Sequence, residues 1–446
     1  MIKNKKILIL GMARSGVAVA KLLSKYNNNF TITDMKEQSK EINEELENLG
    51  IKIIITDNQE KLVNETFDLM VKNPAIKKDN KAILKAKELN IPVINEVEAS
   101  YKYMPKDIKI IAITGSNGKT TTTTMVYELL KMQYKNVHLG GNIGIPLSNL
   151  VNEVKSGDIL VLEISDHQLC DMYDFTSNIS VITNLSEVHI DFHDNYENYK
   201  NMKKRIFNNH TKNSIAILNK ENKDVLELSK DIPSKKIYFS SKQETDIYLK
   251  NNEIIYNNES IININDIKIK GIHNYENIMV AIMIAKMFNI ENKNILNYLS
   301  EFKGVEHRIE YVTSINNRKF YNDSKSTNNK STITALTSFK EPTILIMGGL
   351  DRNIPFDEIS PYLKNVKSIL CYGETKDKIK EFASVNNINS LVTNNLIEAT
   401  NEAYKISEEG DIILLSPACA SWDQYENFEL RGEEFKRTVY NIKNSK

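Results

Sequence analysis

Residues 110–122 read Ile-Ile-Ala-Ile-Thr-Gly-Ser-Asn-Gly-Lys-Thr-Thr-Thr. Apolar residues lead into Thr114, then Gly115, Ser116, Asn117, Gly118, Lys119, Thr120 and Thr121, and a helix-like run follows at 125–131. The order is strand, glycine loop, helix. The amides of such a loop and the first turn of its helix make a cradle for an anion. Lys119 has the reach for β- and γ-phosphates, and the Thr120 hydroxyl can hold Mg²⁺. The stretch therefore predicts a nucleoside triphosphate site on a parallel-sheet domain. It departs from the common G-x-x-x-x-G-K-[ST] pattern, because Ile113 stands where the first glycine belongs. A chance glycine turn fits poorly with a strand directly before it and a helix directly after.

Working outward, the 446 residues suggest about three domains of ordinary size. Hydrophobic residues at 41% and charged residues at 26% place the chain in the globular range. Lys+Arg and Asp+Glu are both 58, so nothing in the charge asks for nucleic acid. Cys170, Cys371 and Cys419 are too scattered for a metal cluster, and their odd number fits a reducing cytoplasm better than a disulfide framework. Lys3, Lys5 and Lys6 before the apolar 7–10 mimic a secretion signal, but Gly11, Arg14, Ser15 and Gly16 break the run. It reads better as a first strand and turn. No apolar segment is long enough to span a bilayer.

Strands and helices alternate almost throughout, which predicts the α/β class with helices covering parallel sheets. Strands at 6–10, 30–33, 52–55, 68–71 and 92–94, with helices at 15–25 and 41–49, make a Rossmann-like domain over 1–104. A central P-loop domain follows over 105–307, with strands at 159–163, 180–183 and 215–218. Within it the Asn-rich patch 246–270 reads as hairpins turned at Asn-Asn and Asn-Asp pairs, and a helix at 274–288 closes the domain. Strands at 319–322, 343–347, 368–372 and 411–415 make a second Rossmann-like domain over 308–446.

Several motifs sit where chemistry would be expected. Gly11-Met-Ala-Arg-Ser-Gly16 with Asp34 is a weak dinucleotide fingerprint, since Ala13 replaces the middle glycine. It is either an ordinary βα turn or a nucleotide-diphosphate site with Asp34 accepting from base or ribose. Glu163 ends the apolar strand at 159–163, beside a phosphate loop, which suits Mg²⁺. His189, just past a strand, reads alone as a hydrogen-bonding loop histidine. Lys203, flanked by Lys204 and Arg205, reads alone as part of a solvated basic face. His273, Asn274 and Asn277 surround a helix start, where Asn274 could cap or the group could meet a base edge. Arg308 and Lys325 suit phosphate. The segment 416–432, Ser-Pro-Ala-Cys-Ala-Ser-Trp-Asp-Gln-Tyr-Glu-Asn-Phe-Glu-Leu-Arg-Gly, holds the chain's one tryptophan. Its Cys419 reads as a small packing residue rather than a nucleophile.

In this order, over essentially the whole length, these motifs resemble the Mur ligase family. The shared pieces are 114–121, Gly140-Gly-Asn-Ile-Gly144, 271–277, His307-Arg308 and 322–328. The segment 416–432 resembles the branch that adds D-glutamate. The resemblance implies an ATP-dependent ligase of peptidoglycan precursor synthesis that joins D-glutamate to UDP-N-acetylmuramoyl-L-alanine through an acyl phosphate. It implies ATP and two Mg²⁺ sites, a cytoplasmic enzyme and a monomer.

It also implies roles. Gly115 to Thr121, with Lys119, would hold the ATP phosphates. Thr120 and Glu163 would ligate the Mg²⁺ of ATP, and His189 a second Mg²⁺ near the acyl phosphate. Lys203 aligns with a lysine that family members carry as a carbamate, which turns a cation into an anion able to serve Mg²⁺. Asn277, Arg308 and Asp323 would hold adenine, phosphate and ribose. Arg14, Ser15 and Asp34 would meet the UDP end of the substrate, and Asn142 and Ser165 its muramoyl-alanine end. Thr327, Arg352, Ser421 and Phe428 would surround D-glutamate, with Lys325 close to the reacting groups. Three domains sharing one site would require the third to swing about a hinge near 304–310.

Two departures stand out. The family pattern E-[LIV]-S-S-F-Q-L reads Glu163-Ile-Ser-Asp-His-Gln-Leu169, and S-P-G-[IV] reads Asn73-Pro-Ala-Ile76. Position 167 is thus expected to pack or hydrogen-bond differently. Rival readings are a sister ligase or folylpolyglutamate synthase, which 416–432 argues against. A regulator with a dead site conflicts with the presence of Lys119, Glu163 and His189. An NAD-dependent dehydrogenase conflicts with Ala13.

Overall fold

The computed structural model describes residues 1–188, 190–352 and 354–445, without the side chains of Asp191 and Lys330. The chain divides into two compact units, 1–301 and 302–446. Among the described residues it carries three sheets, two in the first unit and one in the second.

In the first sheet five parallel strands lie in the order Lys52–Ile55, Asn29–Asp34, Lys6–Leu10, Leu69–Lys72, Val93–Asn95. The strand order reverses at Lys6–Leu10. Crevices form at such a switch point, outside the C-terminal strand ends. Gly11 sits at that end with φ +99°, and a side chain there would come within 2.8 Å of the Asn73 Cβ.

The second sheet has nine strands, ordered Glu259–Asn263, Glu253–Tyr256, Ile247–Lys250, Lys235–Ser240, Ile215–Asn219, Ile179–Ile182, Lys109–Thr114, Ile159–Glu163, Val137–Gly141. Seven run parallel, and the first two named are antiparallel hairpin strands at one edge. The hairpin turns fall on Asn251-Asn252 and Asn257-Asn258, all four at positive φ between 50° and 66°. Asn tolerates that left-handed backbone, which two-residue hairpins require at both positions. The expected Asn-Asp turn is different: Asn265 and Asp266 lie in a short 3₁₀ turn, Ile264–Asp266, because the Asn263 side chain caps it.

Strand Lys109–Thr114 lies deep in this sheet, with Ile111, Ala112 and Ile113 wholly buried. Its unbroken apolar run follows from helices covering both faces, and each buried isoleucine in it contributes about 1.5–3 kcal/mol. The helix after it, Lys119–Lys131, begins six residues before its apolar part. Five consecutive threonines hide that start, since β-branched residues are weak helix formers. Burial of Thr122 and Thr123 and of Met125, Val126, Leu129 and Leu130 holds the helix despite them.

The third sheet is ordered Glu310–Ile315, Arg318–Asn322, Ile412–Leu415, Thr343–Gly348, Val366–Tyr372, Asn389–Val392. Only its first pair is antiparallel; it turns at Asn316-Asn317, again both left-handed. Among the described residues no helix is long and apolar enough to cross a membrane.

Candidate active site

In the first unit the glycine loop leaves the sheet at Thr114 and is fastened to the segment after strand Ile179–Ile182. Asn117 N donates to Asn184 Oδ1 at 2.9 Å, Ser116 N to Asn184 O at 2.9 Å, and Thr183 Oγ1 to Asn117 O at 2.6 Å. Ser116 Oγ meets the Tyr199 hydroxyl at 2.8 Å. Both glycines are obligatory. Gly115 has φ +145°, and a Cβ there would stand 2.0 Å from Thr183 Oγ1. Gly118 has φ +80°, and its Cβ would stand 2.2 Å from Asn277 Oδ1. Gly118 thereby lies against helix Ile272–Met287, whose buried Asn277 stands beside the loop. The Lys119 ammonium lies back over the loop, donating to the Gly115 and Ser116 carbonyls at 2.9 Å each. Thr120 is buried beside it.

Gly118→Ala adds strain of about 1–2 kcal/mol for the left-handed backbone alone, and Asn277 must also move. ATP binding measured by calorimetry is expected to weaken by at least about tenfold. Unchanged affinity would mean the loop does not take the phosphates.

The neighbouring strand Ile159–Glu163 ends on Glu163, only 1% exposed. Its Oε1 accepts from Asn142 Nδ2 at 2.6 Å, while Oε2 is buried with no hydrogen-bond partner. An orphaned, buried carboxylate oxygen is costly unless something positive meets it.

Lys203, read from its neighbours as part of a solvated face, is wholly buried. It lies on the inner side of helix Tyr196–Lys204, where Tyr199 is the other buried residue. Lys203 Nζ donates to Thr114 Oγ1 at 2.9 Å and lies 3.4 Å from Asp166 Oδ1. Burial, and then the Lys119 charge, push its pKa down to about 7, against the opposing pull of Asp166. A fair share of the amine is therefore neutral and nucleophilic near neutral pH. His189 lies outside the described residues. His193, four residues on, sets Nε2 at 2.8 Å from Asp166 Oδ2. Asp166 thus holds two groups at once, a role that residue pattern alone does not announce.

A cleft of 290 Å³ in the same unit runs between the loop after Lys6–Leu10 and the loop after Ile159–Glu163. Arg14, Ser15, Asn73, Asn142 and Ser165 line it. Ser15 Oγ accepts from Asn73 Nδ2 at 3.2 Å, and Arg14 donates to the Gly144 carbonyl. Asp34 accepts the amides of Met12, Met35 and Lys36. It shapes the Gly11 loop whatever else it meets. Asn274 does not cap its helix: Gly271 does, at φ +106°, and Asn274 Nδ2 donates to the Lys270 carbonyl at 2.9 Å.

In the second unit three loops converge at the strand ends. Asp323, 1% exposed, accepts from Ser326 Oγ at 2.5 Å, Ser416 Oγ at 2.7 Å and Ile309 N at 3.1 Å. Lys325 Nζ lies 5.6 Å over the Phe428 ring, and the Arg352 guanidinium 4.8 Å over Trp422. Ser421 is buried at the turn before helix Phe428–Asn444, and Thr327 is half-buried beside Lys325. Arg431, which sequence reasoning passed over, is fully buried. It donates to Ser324 Oγ, Ser324 O and Cys419 O, clamping the 322–328 and 416–421 loops together. One arginine in a helix of mixed polarity gives no sign of that. Gly432 is required beside it, since a Cβ would fall 2.1 Å from His307 Nδ1. Cys419 is buried, as expected of a packing residue.

Burial pushes the Asp323 carboxyl up to about 6, against hydrogen bonds from Ser326 and Ser416 and the Arg308 charge. The folded state then holds its proton more tightly than the unfolded chain does. This stability is present below the unfolded pKa and is lost as pH rises through the folded one. Relative to Asp323→Asn, wild-type melting temperature should fall as pH is raised from about 5 to about 7. A gap independent of pH would contradict the raised value.

Three domain families match the chain: the Mur ligase MurD-like N-terminal domain over 5–95, the Mur ligase middle domain over 113–285, and the Mur ligase, glutamate ligase domain over 307–419. The UDP-N-acetylmuramoylalanine--D-glutamate ligase of Geobacillus sp. (strain WCH70) is 42% identical over 99% of this chain and 98% of that protein. The protein of the same name from Bacillus cereus (strain AH187) is 41% identical over the same shares. Among solved structures, the UDP-N-acetylmuramate-alanine ligase MurC of Thermotoga maritima aligns with TM-score 0.58 at 20% identity, covering 99% of this chain and 100% of that one. The MurF ligase of Thermotoga maritima, in complex with ADP, aligns with TM-score 0.56 at 14% identity over 99% and 96%. These two share the fold. Three matched domains in sequence order and relatives above 40% identity along the whole length make the chain a member of the Mur ligase family.

Proposed function

We propose that the protein uses ATP to join D-glutamate to the alanine carboxylate of UDP-N-acetylmuramoyl-L-alanine, a step in making peptidoglycan precursors. The observation that carries the ATP-dependent chemistry is the pairing of a glycine phosphate loop with the buried Glu163 on the adjacent strand. The choice of substrates leans on the name printed for the 41–42% identical relatives.

A carboxylate is a poor electrophile, so it must first be activated. The substrate carboxylate attacks the γ-phosphorus, an O–P bond forms, and ADP leaves. The amine of D-glutamate then attacks the acyl carbon. The tetrahedral intermediate expels phosphate as the C–O bond breaks, and the amine proton is lost to solvent. The enzyme's contribution is to align the groups and balance crowded negative charge. Gly115, Ser116, Asn117, Gly118 and Thr121 supply backbone and hydroxyl donors to the phosphates, and Lys119 a cation. Asn277, Arg308 and Asp323 take adenine, phosphate and ribose. Arg14, Ser15 and Asp34 take the UDP end, and Asn142 and Ser165 the muramoyl-alanine end. Arg352, Thr327, Ser421 and Phe428 hold D-glutamate, with Lys325 near the reacting groups.

The donor set fits Mg²⁺: a buried hydroxyl at Thr120 and an unpartnered carboxylate oxygen at Glu163 are hard oxygen ligands. His189 and Lys203 as a carbamate complete the proposed ligands, in two sites. Mg²⁺ would neutralise phosphate charge there. Carbamate forms when the neutral Lys203 amine bonds to the carbon of CO₂ and gives up one proton. The lowered pKa of Lys203 supports this. We place the enzyme in the cytoplasm, where ATP is available and its three free cysteines stay reduced.

Phosphate release from ATP should require both UDP-N-acetylmuramoyl-L-alanine and D-glutamate. Equal turnover with L-lysine or meso-diaminopimelate in place of D-glutamate would overturn the amino-acid assignment.

A further inference from the structure

Asparagine stands at position 73, where the resemblance leads one to expect serine. It follows directly on strand Leu69–Lys72, and its own amide donates to the Leu10 carbonyl at 2.8 Å. That places it at the switch point of the first sheet. There it lines the sugar-nucleotide cleft beside Arg14, Ser15 and Pro74.

The hydrogen bonds of the Asn73 side chain have a forced polarity. A backbone amide can only donate. The Ala75 amide meets the Asn73 side chain at 3.0 Å, so the atom it meets is the oxygen, Oδ1. The other arm is then the NH₂ group, and it faces Ser15 Oγ at 3.2 Å. Ser15 Oγ must therefore accept. A hydroxyl carries one hydrogen, and no acceptor among the described residues takes that of Ser15. The hydrogen is left for whatever fills the cleft. A serine at position 73 would face Ser15 with a hydroxyl that can donate or accept, and would impose no direction.

The place of Ser15 decides which acceptor it meets. It lies in the first turn of helix Arg14–Ser24, where Ala13 provides no side-chain cap and the first turn holds no acidic residue. The first-turn amides and the helix dipole favour an anion there. A phosphate oxygen is anionic and accepts hydrogen bonds. Resting on the function proposed above, we infer that Asn73 is a positioning residue for the UDP end of the substrate. It turns the Ser15 hydroxyl into a fixed donor to a diphosphate oxygen and touches no phosphate itself.

The test is a double-mutant cycle of Asn73→Ala and Ser15→Ala. Calorimetry measures the affinity for UDP, and displacement of UDP measures that for uridine, which has the base and ribose without the phosphates. Ser15→Ala should weaken UDP about tenfold, the size of a hydrogen bond to a charged group. Asn73→Ala, which frees the Ser15 hydroxyl to turn, should weaken it about fivefold. The double variant should stay within about twofold of Ser15→Ala alone, since Asn73 acts through that hydroxyl. Uridine affinity should be the same in all four proteins. Losses that multiply in the double variant would overturn the inference, and so would wild-type UDP affinity in Asn73→Ala. A matching loss for uridine would overturn it as a general disturbance of the loop. If the wild-type protein itself fails to bind UDP-N-acetylmuramoyl-L-alanine, the underlying function is what falls.

Discussion

Glu163→Gln is expected to lower kcat about a thousandfold, close to 4 kcal/mol of barrier, with the melting temperature nearly unchanged. Glutamine has the volume of glutamate and keeps an oxygen to accept from Asn142 Nδ2. What it loses is the charge on the second, orphaned oxygen. In the wild type that charge has no protein donor to answer it, which is tolerable only if a cation arrives with the nucleotide. The variant should therefore also need more Mg²⁺ to reach half its own maximal rate. Phosphate release followed across a Mg²⁺ titration reads both effects. A variant with wild-type kcat and Mg²⁺ dependence would remove Glu163 from the chemistry.

Lys203→Ala should be the second severe loss, again about a thousandfold, and the manner of its rescue is the informative part. If Lys203 serves as a carbamate, the missing group is an anion, and acetate or formate should restore part of the activity. If it serves as an ammonium paired with Asp166, short alkylamines should rescue and carboxylates should not. The surroundings favour the first outcome. The amine is fully buried, faces the Lys119 cation as well as the Asp166 anion, and has its pKa pushed down to about 7. Wild-type protein exchanged with ¹³C-bicarbonate should show a carbamate carbon signal that Lys203→Ala lacks. Amine rescue without that signal would settle the matter against the carbamate.

The fold was largely legible because parallel strands buried on both faces leave unbroken apolar runs, as at 110–113 and 159–162, and glycines punctuate their ends. Gly115 and Gly118 were readable for the same reason: only glycine meets their backbone angles and close neighbours. Helix Lys119–Lys131 was seen late, since its threonine run gives no periodic signal. Lys203 was the clearest misreading from local pattern. A Lys-Lys-Arg triplet looks solvated, and only the helix's orientation shows that its first member points inward while its neighbours are partly exposed. Arg431 and Asp166 escaped for a related reason. Their importance lies in partners far along the chain, 107 residues away for Arg431 and Ser324 and 27 for Asp166 and His193. Such pairings exist only once the sheet is assembled.

Activation as an acyl phosphate moves one oxygen atom from the substrate carboxylate to the released phosphate. UDP-N-acetylmuramoyl-L-alanine labelled with ¹⁸O in its terminal carboxylate is incubated with ATP, Mg²⁺, D-glutamate and the enzyme, and the released phosphate is examined by ³¹P NMR. Activation as an acyl phosphate predicts one ¹⁸O in each phosphate formed from fully labelled substrate. Unlabelled phosphate accompanying normal amide formation would contradict it.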